Sequence, residues 1–207
     1  MSEVKEAEFD VAARMAEVVG EAPRIEPLGP EAMDPDAAEM VRRIRASAGA
    51  ADVDQLPEFM RTMIRHPALF RCNMEMGNTL YNGRLPVRER ELAILRVAWL
   101  MRAPFEWGQH VIIARRVGLT ADEIERARQG TGAGGWSEQE EAILSAVEQL
   151  IDRAAISDAT WETLAKSWDE QQLIEFLMMV GHYVSTAFVQ NALKVRLEGA
   201  EAGLMLR

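Results

Sequence analysis

Glu89-Arg-Glu-Leu-Ala-Ile-Leu-Arg-Val-Ala-Trp-Leu-Met-Arg-Ala-Pro-Phe-Glu-Trp-Gly-Gln-His110 reads as two helices joined near Arg102, and its polar residues fall in unusual places. Glu91 shares a helix face with Leu95 and Ala98, so its carboxylate begins a mostly apolar stripe, apart from the solvated charges of Arg88, Glu89 and Arg90. Burial there is expected to raise its pKa. On the second helix Glu106 and His110 are four residues apart on a face that continues into Ile113 and Val117. A carboxylate beside an imidazole fixes its tautomer and basicity, as a general base or proton relay near neutral pH requires. The same spacing also occurs as an ordinary helix-stabilising pair worth ~0.2–0.5 kcal/mol. Trp107 shares a stripe with Val111 and Ala114 and is either core or a wall of the pocket.

Outward from this stretch the punctuation is helical. Pro67 and Pro86 suit the first turns of helices. Thr120 with Glu123, and Ser137 with Glu140, have the spacing of reciprocal N-terminal caps, and Gly118 fits a helix end. No strand-like alternation interrupts the pattern after Asp34, so an all-α fold is expected. Pro23, Pro27, Pro30 and Pro35 set off residues 1–35 as a helical arm and extended linker, an arm available to a partner subunit, before a single helical domain over 36–207. The stretch Asp169 to Glu198 is apolar on more than one face (Leu173, Leu177, Met178, Met179, Val184, Phe188, Leu193). It reads as a buried helix at the centre of the core, kinked at Gly181.

Composition narrows the function classes. Of 207 residues 48% are hydrophobic and 27% charged, which excludes a disordered chain. Thirty-three acidic against 23 basic side chains leave a formal charge of −10, the wrong sign for nucleic acid or an anionic membrane surface. The single cysteine, Cys72, excludes an intrachain disulfide and fits a reducing cytoplasm; it reads as a buried, inert thiol. There is no signal-peptide order at the N-terminus and no uninterrupted apolar run of ~18 residues, so no membrane partner is expected.

His182 and Tyr183, inside the apolar C-terminal helix, need hydrogen-bond partners. The Glu106 and His110 site is one candidate, and a backbone carbonyl or threonine is the other. His66 before Pro67 reads as a helix start. The loop Gly130-Thr-Gly-Ala-Gly-Gly135 follows a helix and lacks a phosphate-loop lysine, so it reads as a flexible connector. No His-Glu-x-x-His pattern supports a metal site, and no metal or cofactor is expected.

The chain resembles the carboxymuconolactone decarboxylase family, within the alkylhydroperoxidase D-like superfamily. The resemblance spans about 57–130: His66-Pro-Ala-Leu-Phe, Leu85-Pro-Val-Arg-Glu-Arg-Glu-Leu, Phe105-Glu-Trp-Gly-Gln-His and Ala114-Arg-Arg-Val-Gly-Leu-Thr. Gly181-His-Tyr-Val-Ser and Asn191-Ala-Leu-Lys-Val follow the last helix more loosely. The resemblance implies an alkylhydroperoxidase D-like helical bundle that assembles as a dimer, trimer or hexamer. Peroxidase members pair a Glu and a His with a Cys-x-x-Cys. Glu91 and His110 match the first two, while Ala103 and Glu106 stand at the cysteine positions, so the dithiol route is lost. The decarboxylase branch also lacks the pair. The resemblance thus implies a lyase-type enzyme, decarboxylating or isomerising a small oxygenated carboxylate or lactone. His110 would be the principal acid/base, Glu106 would orient it and Glu91 would be a second proton carrier, with Trp107, His182 and Tyr183 against the substrate. The alternatives are a non-catalytic small-ligand-binding member and a peroxidase using a non-dithiol route.

Overall fold

The computed structural model describes residues 9–19, 22–47, 56–197 and 203–207. Along these run α1 (Val11–Val18), α2 (Pro35–Ser47), α3 (Glu58–Met63), α4 (Pro67–Tyr81), α5 (Val87–Leu100), α6 (Pro104–Arg116), α7 (Ala121–Gln129), α8 (Glu138–Arg153), α9 (Asp158–Ala165) and α10 (Glu170–Leu193), with no strand among the described residues.

The centre of the molecule is α5. Every residue from Arg90 to Trp99 is buried, because α5 is enclosed by α6, α7, α8 and α10. The C-terminal helix, expected at that place, lies instead at the margin. It buries Leu173, Phe176, Met179, Val180 and Ala187 and leaves Ile174, Leu177, Met178 and Phe188 exposed, since its neighbours pack on one side only. By length and apolarity alone α10 could cross a bilayer, although its buried face belongs to the same hydrophobic cluster as Ile94, Val97 and Ile143. It runs unbroken through Gly181. A lone exposed glycine costs a helix about 1 kcal/mol without bending it.

The α5–α6 junction that positions the site is closed by backbone bonds. Arg102 takes the left-handed conformation (φ 49°). Its N–H donates to the Trp99 carbonyl and that of Ala103 to the Ala98 carbonyl, each 2.9 Å, the double closure that ends many helices. Pro104 then opens α6 where no amide proton is needed. Gly118 (φ 96°) closes α6 in the same way, through Leu119 N–H to Ala114 O at 2.9 Å.

The arm packs on its own chain. Phe9 stacks on Trp99 with ring centroids 5.0 Å apart, and Arg14 donates to the Arg102 carbonyl. The linker is tied to the end of α10 by Arg24 N–H to Leu193 O at 2.9 Å. His66 caps α4 by accepting the Leu69 N–H on Nδ1, and both capping boxes form, at Thr120 and Ser137. The 130–135 connector is pinned rather than flexible. Thr131 bonds Glu148, while Arg126 donates to the carbonyls of Gly134 and Gly135. Cys72, expected to be buried, is exposed on α4 because its helix turns that position outward while Phe70 and Met74 face in.

Candidate active site

Two neighbouring helices bring three ionisable groups into one line. Glu91, from α5, is fully buried, and its Oε2 lies 2.7 Å from Nδ1 of His110 on α6. One turn back on α6, Glu106 Oε1 lies 3.1 Å from the other ring nitrogen, Nε2. The imidazole is thus held at both nitrogens by carboxylates. Glu106 occupies the first turn of α6, where the helix dipole favours an anion. Arg90 secures the far end: its Nε donates to Glu91 Oε1 at 3.0 Å, its guanidinium lies over the Tyr81 ring, and it also donates to the Tyr81 carbonyl. Tyr183 sets its ring edge-on to His110, with centroids 5.0 Å apart.

The charges settle one another. Burial pulls the His110 pKa down, but the Glu91 charge and the hydrogen bonds from both carboxylates outweigh it and push the ring up to about 9. Burial alone would raise Glu91, as its place on an apolar stripe led one to expect. The charge and hydrogen bond of His110, then those of Arg90, reverse the sign and hold it below the ordinary carboxylate range. His182 is lowered by burial, against the opposing pull of Glu106. Burial raises Tyr183 well above its ordinary value, so its phenol stays protonated.

A cavity of about 260 Å³ opens between α3 and α4 on one side and α6 and α10 on the other. Glu106, His110, His182 and Tyr183 line it. Glu91 does not, because it stands behind the imidazole as seen from the cavity. Trp107, expected against the substrate, lies outside the cavity too. Its indole is wholly buried, edge-on to Trp99 at 5.2 Å, and donates to the Leu206 carbonyl at 2.9 Å. The 100° step between successive helix residues turns Trp107 away from the face that Glu106 and His110 share. Among the described residues no group of three or more His, Cys, Asp or Glu is placed to hold a metal ion.

Sequence reasoning missed Arg90 and Gln190. Arg90 reads as one more solvated charge in Arg88-Glu-Arg-Glu91, yet all of that run is engaged. Arg88 bridges Glu123 and Glu140, Glu89 accepts the Trp168 indole N–H at 2.7 Å, and Arg90 is 6% exposed. Nothing local marks the difference. For Gln190 a signal existed: His182, Thr186 and Gln190 recur every fourth residue on an otherwise apolar helix, and all line the cavity.

The helical bundle has an alkylhydroperoxidase D-like fold. An uncharacterised peroxidase-related protein from Ralstonia eutropha JMP134 with an alkylhydroperoxidase D core superposes with a TM-score of 0.72 at 14% identity, over 87% of this chain and 94% of that one. The debrominase Bmp8 superposes at 0.69 with 16% identity, over 85% and 92%. A protein of unknown function from Agrobacterium tumefaciens matches at 0.60 with 21% identity, over 65% and 94%. At these identities the likeness is one of fold. No curated protein is similar enough in sequence to match. Residues 67–149, the segment that carries Glu91, Glu106 and His110, match the carboxymuconolactone decarboxylase family.

Proposed function

We propose that the protein is a carboxymuconolactone decarboxylase-like enzyme that moves a proton on a small oxygenated molecule, in an isomerisation or decarboxylation, with Glu106 as the group that meets the substrate. The observation that carries this reading is the unequal engagement of the three site residues. Both nitrogens of His110 face carboxylates, whereas Glu106 keeps one buried oxygen, Oε2, without a hydrogen-bond partner. His110 therefore acts through Glu106, the reverse of the order implied by the resemblance.

In the resting site a proton on Nδ1 is shared with Glu91, whose charge is held by Arg90. A second proton lies between Nε2 and Glu106 Oε1. Glu106 as the base takes a proton from the substrate, and as the acid returns it to a different atom. Between the two events Glu106 holds the substrate's proton, while the ring of His110 stays fixed by Glu91. The sole thiol, Cys72, is exposed on α4 and outside the cavity wall, which gives a thiol-based reading no support.

The test is proton exchange in D2O. A panel of small lactones and enolisable carbonyl compounds is followed by NMR with the wild type, Glu106→Gln and His110→Gln. The wild type is expected to exchange or convert at least one member, and Glu106→Gln to slow it 10²–10⁴-fold, the usual contribution of a positioned acid or base. Equal rates in all three proteins would overturn the reading.

A further inference from the structure

We infer that His182 is the counter-charge for an anionic ligand: it gains a proton as the ligand binds and holds an anionic oxygen in the open space that Gly77 leaves beside its Nε2. The inference rests on the reading of this cavity as the functional site and assigns the group that recognises its ligand. His182 is partly buried in the α10 wall. Among the described residues neither of its ring nitrogens has a hydrogen-bond partner, and neither is sealed from solvent as Glu106 Oε2 and Gln190 Oε1 are. At the same end of the cavity α4 presents Gly77. A β-carbon there would lie 3.5 Å from Nε2 and, apart from its own helix, would meet nothing else within 4 Å. The nitrogen therefore looks onto open volume, where a ligand oxygen can sit at the ordinary ~2.9 Å of a hydrogen bond. Asn73, one turn before Gly77 on the same face of α4, also lines the cavity and can supply a second donor through its amide.

Charge assigns the proton. Among the described residues lining the cavity there is no Lys or Arg. His110, on α6, already holds its proton at neutral pH and has a carboxylate at each nitrogen. Tyr183, beside His182 on α10, can only lose a proton, and burial opposes that loss. Arg90 and Glu91 on α5 stand behind His110 and are paired with each other. From α3 and α4 the wall receives no titratable side chain. His182 and Glu106 are thus the groups of the wall that can take up a proton. Burial keeps the His182 ring neutral, while the Glu106 charge pulls the other way. A second negative charge, brought by a ligand, adds to that pull and tips the ring to its charged form. A buried anion needs such a partner. About 260 Å³ lies at the small end of ligand pockets, which suits one ring with small substituents.

The experiment reads binding and proton uptake without turnover, so a failed proton-exchange test removes the proposed reaction and leaves this result standing. The full chain is titrated by calorimetry at pH 7 with benzoate and with benzamide, its neutral isostere. Each titration is run in PIPES and in Tris, buffers of low and high ionisation enthalpy, whose difference in heat counts the protons taken up. Benzoate is expected to bind with uptake of at least half a proton, and benzamide, where it binds, with none. His182→Gln, accepted only with a wild-type circular dichroism spectrum, is expected to abolish the uptake and weaken benzoate at least tenfold. Gly77→Ala, which should not lower Tm because alanine favours a helix, is expected to weaken benzoate at least tenfold by filling the space beside Nε2. If His182→Gln does not fold, the wild-type proton count and Gly77→Ala decide. No benzoate binding at millimolar concentration, benzoate binding without proton uptake, equal uptake with benzamide, uptake that persists in a folded His182→Gln and so belongs to Glu106, or unchanged benzoate affinity in Gly77→Ala would overturn the inference.

Discussion

His110 carries a positive charge in a place where burial alone would neutralise it, and this ties the fold to pH. With its pKa raised from 6.5 to about 9, the ring contributes stability that is fully present below pH 6.5 and lost as pH rises through 9. A shift of that size is worth on the order of 3 kcal/mol. Glu91, lowered, works at the other end: its contribution is present above pH 4.5 and lost as pH falls through its folded value. Urea midpoints of the wild type are therefore expected to fall between pH 6.5 and 9.5, while His110→Gln, less stable at pH 6.5, stays nearly flat over the same range. The Glu106–His110 pair was legible from its four-residue spacing. The bond between Glu91 and His110 was not, because it joins residues 19 apart in sequence on different helices. The sign expected for the Glu91 shift failed for the same reason, since burial is visible along one helix and the opposing charge is not.

At the scale of elements, helix starts were more legible than helix ends. Thr120, Ser137 and His66 announce their caps by residue type and spacing, and all three form. Thr120→Ala is expected to cost about 1 kcal/mol in thermal or urea unfolding, the usual value of a lost N-cap. Of the left-handed closures, Gly118 could be read in advance, but Arg102, Ala154 and Lys194 adopt positive φ without a glycine to mark them. Ala154, exposed at the end of α8 with φ 54°, bears a steric cost that glycine would remove. Ala154→Gly is accordingly expected to raise stability by about 1 kcal/mol, a few degrees in Tm for a chain of this size. Gly130 is the opposite case. At φ 72° its missing side chain leaves room for the Arg96 guanidinium and the Glu148 carboxylate, which clamp the connector to α5 and α8. The sequence showed this loop as glycine-rich but not what the glycines admit.

On the scale of the whole molecule, the all-helical class followed from periodicity and punctuation, while the choice of central helix did not. The C-terminal stretch reads as apolar on more than one face and α5 as carrying a single apolar stripe, yet packing encloses α5 while α10 keeps Ile174, Leu177, Met178 and Phe188 outside. Exposed apolar stripes of this kind mark association surfaces, and we propose that a second copy of the chain covers this one, as the family resemblance implies. Light scattering is expected to give a multiple of 23.2 kDa, and Ile174→Glu with Phe188→Glu to shift it toward the monomer; a monomeric wild type would refute this. A last consequence lies on the far side of α6. Trp99 and Trp107 meet edge to face with ring centroids 5.2 Å apart, roofed by Phe9 from the arm and anchored by the Leu206 carbonyl. Two indoles so close and so inclined couple their electronic transitions, so the native protein should show a paired near-ultraviolet dichroic band of opposite signs. The two terminal segments thereby carry an optical signature of their own docking, and removing 203–207 should erase it, and shift the emission to the red, while far-ultraviolet helix content is kept.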